Sequence, residues 1–392
     1  MANTFKFGNG NWAVKDGSVL AYNDENNNFK PLPFDFTRDS IATRVSKDGL
    51  IEVVPNNMPR IDFTDNTSGH LLLEPSRTNN LPYAEQFDNA AWSKGNSTVT
   101  ANQAISPDGS QTADLLQLTS AGGNVFDGVG GSGDYAFSVF AKYVDAQFIR
   151  LRSTSSYAYF DIQNGSVGST INVSSTKIED YGNGWYRCTV VGNNTNSLAQ
   201  IFVSDTDGSN TGTGSVYIWG AMFEAGSYAT SYIPTEGSSV TRVAEQGIDG
   251  GAGTPIFSNT TAVWFLDIER LGVDASSSGS AIALRNSSFS QQIRLHFDEP
   301  NTSIRFRDGL NGFATIGTIT GMSVGVRKKI ALRIDGSALS TFANGSKIGS
   351  DYTAPSTFDI AEIDFYTLGF KIHDMRFYNE ALTDTELEKL TS

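Results

Sequence analysis

Apolar positions along this chain come in short runs rich in Val, Ile, Phe and Tyr, each followed by a cluster of Gly, Asn, Ser or Asp. Tyr135–Ala141, Phe148–Arg152, Ala158–Ile162 and Trp185–Val191 are examples. Within the runs apolar and other residues alternate with a period of two, which puts one face in a core and the other in solvent. Short alternating strands with regularly spaced turn signals predict antiparallel β-sandwiches or jelly rolls. Long helical periodicity is nearly absent. One exception is Asp384–Leu390, where Thr383 is placed as an N-cap with Glu386 three residues on, the capping-box spacing. Leu387 and Leu390 then share the face that docks on a sheet. Asn344-Gly345 predicts a two-residue hairpin turn.

Composition shifts divide the chain into three. Residues 1–80 are rich in Asn, Asp and Pro with short apolar patches, and read as a small N-terminal region. Residues 81–246 form a second region. The glycine-rich stretch Gly247–Gly253 reads as a linker, and the third region, within 247–392, ends in the capped helix. Each later region has a natural size for one sandwich, so the expected fold is all-β: two tandem antiparallel sandwiches after a small N-terminal region. Ala42-Thr43-Arg44-Val45 echoes Val240-Thr241-Arg242-Val243, and at that length the echo reads as chance rather than as two strands that pair.

Charge and cysteine content narrow the function. With 42 acidic and 28 basic residues the formal charge is −14, which disfavours nucleic acid and anionic membrane surfaces as partners. Cys188 is the single cysteine, so no intrachain disulfide forms; inside an alternating strand it reads as a buried, inert thiol. No apolar run reaches membrane-spanning length. The N-terminus lacks the basic start and apolar stretch of a signal peptide. Synthesis in a cytoplasm, with release by another route such as lysis, is the expectation.

Candidate chemistry is sparse, and no catalytic residue, metal site or cofactor is expected. Glu362-Ile363-Asp364-Phe365-Tyr366-Thr367 partly matches the catalytic strand of laminarinase-type β-glucanases, whose two carboxylates flank the glycosidic bond. Thr367 and Leu368 stand where the second glutamate should be, so an ordinary sandwich strand is expected, with Ile363 and Phe365 inward. Gly128–Gly133 fits G-x-G-x-x-G, but a strand follows where a dinucleotide site needs a helix; it reads as a turn. Asp205–Asn210 begins like a calcium loop, yet Val216 occupies the position of the required glutamate, leaving an Asp/Gly turn. The three histidines, His70, His296 and His373, would all be needed for a three-histidine metal site. Tyr157 and Tyr159 lie two apart in a strand and share one face, with Phe160 on the other. Exposed rings can stack on sugar C–H faces, which makes Tyr157 and Tyr159 the candidate carbohydrate-binding residues. Trp92, Trp185 and Trp219 read as structural.

Two resemblances bear on function. Leu71–Asn79, Phe87–Trp92, Ser106–Asp114, Asp180–Arg187 and Trp219–Thr235 occur in an order that resembles the carbohydrate-binding-module-like jelly rolls of tailed-bacteriophage fibres and of some phage-borne polysaccharide enzymes. The segments Phe36–Arg38 and Pro59–Phe63 resemble what precedes such modules. Ala331–Gly336, Phe342–Gly345 and Lys371–Leu387 resemble the laminin-G/concanavalin-like sandwich. The resemblance implies a bacteriophage virion structural protein: a head or tail fibre or appendage, attached through its N-terminal region to other virion proteins. It also implies a homo-oligomer, most simply a trimer, exposed on the virion surface and binding host-surface or environmental glycans. A polysaccharide-degrading enzyme with accessory binding modules, and a purely structural decoration protein, are the alternatives.

Overall fold

The computed structural model describes residues 5–10, 12, 14–15, 18–23, 28–32, 34–194, 198–252, 260–272, 279–298, 303–308, 314–366 and 368–392. Among them the fold is all-β except for the helix Asp384–Thr391, and no helix is long and apolar enough to cross a membrane. The chain forms two compact units. A terminal unit comprises Met1–Ile41, Val54–Ser76 and Val243–Ser392, and a middle unit comprises Ala42–Val53 and Arg77–Arg242.

The terminal unit corrects the expectation of a separate region 1–80. Strand Phe5–Gly8 pairs antiparallel with Phe370–Tyr378, and His70–Leu73 pairs with the same C-terminal strand further along. Asp35–Thr37 pairs with Gln246–Gly250. Early strands thus complete both sheets of the C-terminal sandwich. The physical reason is that a short polar segment cannot close a core of its own, whereas unpaired strand edges next to it offer both hydrogen bonds and apolar cover. Phe7, Phe34, Ile61, Leu71 and Leu73 join Trp264, Leu266, Leu284, Ile363 and Met375 in one core.

The glycine-rich stretch is also corrected. Gln246–Gly250 is a strand of a seven-stranded sheet, between Glu362–Phe365 and Asp35–Thr37. Its glycines leave room for aromatic rings: Phe34 lies against Gly250, and Phe34, Phe36 and Phe365 surround Gly247. Gly253 lies outside the described residues.

The last strand departs from simple alternation. Its register against Thr261–Arg270 shifts between Asp267↔Asp374 and Ile268↔Ile372, so His373 is the extra residue of a bulge. Ile372 therefore faces the same core as Met375 and Phe377. Gly8 lies against the bulge at φ 104°, where a Cβ would collide with the His373 carbonyl, and the Asn9 amide donates to that carbonyl at 2.8 Å. Asn344 and Gly345 have φ of 51° and 73° and close the hairpin between Ala338–Ala343 and Ser346–Thr353. The Thr383–Glu386 capping box forms as expected, and Leu387 is buried with Phe265, Phe342 and Tyr378.

The middle unit is a sandwich of two six-stranded sheets. One runs Ser93–Gly95, Asn124–Gly128, Leu198–Ser204, Phe148–Ser153, Ser156–Asp161, Ser166–Ile171; the other runs Ser97–Ala104, Ala113–Leu118, Ser215–Ala225, Gly133–Tyr143, Trp185–Asn194, Ser175–Asp180. Ile149, Leu151, Ala158, Phe160, Ile201 and Val203 of the first meet Phe137, Val139, Cys188, Val190, Ile218 and Phe223 of the second. A second cluster holds Phe140, Trp185, Trp219 and Tyr232 with Val45 and Ile51 of a hairpin. The echoed segments do not pair with each other: Ala42–Val45 pairs with Ile51–Val54, and Val240–Arg242 with Arg77–Asn79.

Each unit buries charge. In the terminal unit Glu245 accepts from Arg38 Nη1 at 2.7 Å, from Arg60 Nε at 2.8 Å and from the Glu74 amide at 3.0 Å, while Arg60 Nη2 also reaches Glu74 Oε2 at 2.8 Å. All four side chains are within 3 % of complete burial. Removing one member of such a cluster leaves an uncompensated buried charge. Glu245→Ala is expected to lower the stability of the terminal unit by about 3–5 kcal/mol, read by urea unfolding of the full chain. A loss below about 1 kcal/mol, the range of exposed ion pairs, would contradict this.

In the middle unit burial raises the Glu224 carboxyl to about 7, against the donors of Thr230 and the charge of Arg77. Its Oε1 and Oε2 accept from the Thr230 amide and hydroxyl, both at 2.7 Å. The folded form holds a proton that the unfolded chain gives up near 4.5. Stability from this group is therefore fully present below that value and declines as pH rises to about 7, by up to about 3 kcal/mol. Glu224→Gln is expected to remove that slope in melts between pH 5 and 8. An unchanged slope would show that Glu224 titrates normally.

Candidate functional site

The outer face of the first middle-unit sheet gathers aromatic and cationic side chains. Alternation sends Ile149, Leu151, Ala158 and Phe160 into the core, so Phe148, Arg150, Arg152, Tyr157 and Tyr159 take the opposite face. The adjoining Leu198–Ser204 strand, with Ala199, Ile201 and Val203 inward, adds Gln200 and Phe202. Arg150 stands opposite Tyr159 on one side and Phe202 on the other, and Arg152 opposite Tyr157 and Gln200. The Arg150 guanidinium lies 3.7 Å from the Phe202 ring centroid, 5.0 Å from Tyr157 and 5.7 Å from Tyr159. Contacts of this kind hold a cation without neutralising it.

The two tyrosines divide the work. Tyr159 is 2 % exposed and its hydroxyl donates to Asn210 Oδ1 at 2.9 Å, so it anchors the 205–214 loop rather than offering a free ring. Tyr157 is half-buried, and its ring stands at 80° to that of Tyr159. A flat pair of rings is therefore not present; one partly open ring beside a guanidinium is. Arg152 is also half-buried. It donates from Nε to the Thr154 carbonyl at 2.7 Å and from Nη1 to Gln200 Oε1 at 3.5 Å, and Gln200 Nε2 donates to Asn124 Oδ1 at 2.9 Å. Alternation within Phe148–Arg152 puts both arginines on one face of their strand, and pairing with Ser156–Asp161 sets that face beside the tyrosines. The register that sets Phe202 and Gln200 beside them joins strands far apart in sequence.

Other candidates resolve into structural roles. Arg285 lies between Glu362, Asp364 and Asp249: its Nε donates to Asp364 at 2.6 Å, and its Nη atoms reach Glu362 and Asp249. Ser287 donates to Glu362 at 2.9 Å, and the Asp249 amide donates to Asp364 at 2.9 Å. Carboxylates held by one guanidinium are not positioned as the separated acid and nucleophile of a glycosidase. Ile363 and Phe365 face the core as expected, and Thr367 lies outside the described residues.

His70 and His373 come together, their ring centroids 5.2 Å apart, with Asn66 Nδ2 3.4 Å from Nδ1 of each. Burial, with Lys371 and His373 nearby, pushes His70 well below the usual imidazole range and keeps it neutral. His296 lies in Gln292–Asp298 of the seven-stranded sheet, whereas the other two belong to the eleven-stranded sheet. Among the described residues no group of three or more His, Cys, Asp or Glu side chains is arranged to hold a metal ion. In the Asp205–Asn210 turn, Asp207 instead accepts from the Ser169 amide and hydroxyl, both at 2.8 Å. Gly128–Gly133 joins two strands. Cys188 is buried, and burial raises its thiol pKa well above the usual value. Trp92, Trp185 and Trp219 are each no more than 2 % exposed and pack in the middle-unit cores.

No protein-family model matches the sequence, and no curated protein matches it. Among solved structures, the chain is similar to the CBM40 of Ruminococcus gnavus IT-sialidase bound to α2,3-sialyllactose, at 14 % identity over 37 % of this chain and 91 % of that one, with a TM-score of 0.30. A native heptameric SAP-like pentraxin from Limulus polyphemus shows 10 % identity over 34 % and 70 %, with a TM-score of 0.27. A Caenorhabditis elegans galectin shows 15 % identity over 31 % and 84 %, with a TM-score of 0.24. Similarities of this size carry no functional argument.

Proposed function

We propose that this chain is a glycan-binding protein whose middle unit holds a saccharide on the outer face of the sheet built from Phe148–Ser153, Ser156–Asp161 and Leu198–Ser204. The observation that carries the reading is the partly open Tyr157 ring beside Arg152, with Gln200 and Asn124 on the next two strands of the same face. A saccharide needs an apolar surface for its C–H face and polar groups for its hydroxyls, and this face supplies both. Sheet strands rather than loops carry the groups, so they are held in place before a ligand arrives.

The five ordered motifs add a biological setting. In this reading the chain is a surface component of a tailed-bacteriophage virion, a fibre or appendage that touches host or environmental glycans. Its terminal unit, which includes the N-terminal strands, carries attachment to other virion proteins. Assembly as a homotrimer would multiply weak single-site contacts. An enzymatic reading gains no support from Glu362 and Asp364, both of which pair with Arg285.

A glycan array probed with the full chain, followed by calorimetry on the best binder, tests the binding reading. Tyr157→Ala is expected to weaken the strongest interaction by about fivefold or more, since one lost stacking contact is worth roughly 1 kcal/mol or above. Unchanged affinity in a folded Tyr157→Ala protein would place the site elsewhere. Immunogold labelling of intact particles tests the virion setting; absence of label from purified virions would remove it.

A further inference from the structure

The tyrosine face carries two positive charges without a carboxylate partner. No carboxylate among the described residues forms a salt bridge with Arg150 or Arg152, although the chain as a whole has 14 more acidic than basic residues. Arg150 is 7 % exposed, and its Nε has no hydrogen-bond partner among the described residues. Buried charges are ordinarily paired. Arg187, 3 % exposed, lies over the Phe140 ring and donates to Ser138 Oγ at 3.0 Å, whereas Arg38 and Arg60 meet Glu245, and Arg285 meets Asp364. Arg150 has aromatic rings in that place.

Arg152 adds to the imbalance. It is two residues along the same strand and the same face, and its like charge lowers the Arg150 pKa further, after burial and against the two tyrosines. Two carboxylates of this unit are engaged elsewhere. Asp161, on the neighbouring strand, accepts from Gln147 Nε2 at 2.8 Å, Asn164 Nδ2 at 2.9 Å and the amides of Gln163 and Asn164. Asp207 is held by Ser169. Two guanidinia kept close on one face, with no salt bridge to a carboxylate among the described residues, leave that face positive.

We infer that the saccharide bound on this face is an acidic one, whose carboxylate pairs with Arg152 at the surface while its ring lies against Tyr157. Arg150, two residues away on the same strand and face, supplies a second positive charge that strengthens the pair without needing direct contact. A guanidinium suits a carboxylate because its planar fork offers parallel donors. Gln200, already donating to Asn124, holds Arg152 through its Oε1 and so fixes where the fork stands. Uronic acids and related carboxylated sugars are the chemical class. This inference rests on the proposed sugar site and adds its selectivity.

The test is a glycan array in which each carboxylated oligosaccharide is printed beside its carboxyl-reduced counterpart, probed with the full-length protein and with Arg152→Gln. The expected result is binding to carboxylated members that falls at least tenfold on carboxyl reduction. In the Arg152→Gln protein the preference for the acid form should shrink by a similar factor, with an unchanged melting temperature. Arg150→Met, which keeps the aromatic packing, should reduce the same preference and steepen no other dependence. Binding that survives carboxyl reduction, or a preference that survives Arg152→Gln, would overturn the inference and leave a neutral-sugar site standing. Absence of binding to any glycan would overturn the sugar site itself, and the inference with it.

Discussion

Glu245 and the two arginines it joins are the constraint on which the terminal unit depends. Four charged residues from separate parts of the chain meet there: Arg38, Arg60 and Glu74 from the first eighty residues, and Glu245 from beyond the middle unit. Each lies within a few residues of a point where the chain passes between units. Arg38 further donates to the Met58 carbonyl at 2.8 Å and to the carbonyls of Val54 and Pro55. Charges removed from water cannot stand alone. The segments that carry them must therefore converge, and the strands that flank them are delivered to the right sheet edges. Hydrophobic burial supplies the larger share of stability; the ion cluster ties together segments that share it.

Local features were legible in the sequence because their causes are local. Asn344-Gly345 closes a hairpin because both positions take positive φ, and Thr383 with Glu386 caps the helix through reciprocal hydrogen bonds. Alternation placed Phe160 in the core and the tyrosines opposite. Non-local features were not legible. Nothing near Phe5–Gly8 or His70–Leu73 says that both pair with the last strand. Gly247 and Gly250 look like linker residues until Phe34, Phe36 and Phe365 are seen to occupy the space their missing side chains leave. The bulge at His373 moved Ile372 to the face that strict alternation denies it, because one extra residue inverts every position on one side of it.

The candidate site shows the same division. Tyr157 and Tyr159 share a face by spacing alone, but spacing could not show that Tyr159 is anchored to Asn210 while Tyr157 stays partly open. Arg150 and Arg152 were visible as alternate positions of one strand. Their meaning came only with register, which set Phe202 and Gln200 on one side of them and the tyrosines on the other. The carboxylate pair Glu362 and Asp364 looks chemical in sequence and is structural in the fold, since Arg285 binds both.

The central claim is that a sugar ring rests on the Tyr157 side of this sheet. A crystal structure of the full chain with its tightest-binding oligosaccharide measures that directly. The account predicts a pyranose face against Tyr157 and an acidic group within hydrogen-bonding distance of Arg152. A saccharide bound in the terminal unit, or on the middle unit away from Tyr157, would contradict it.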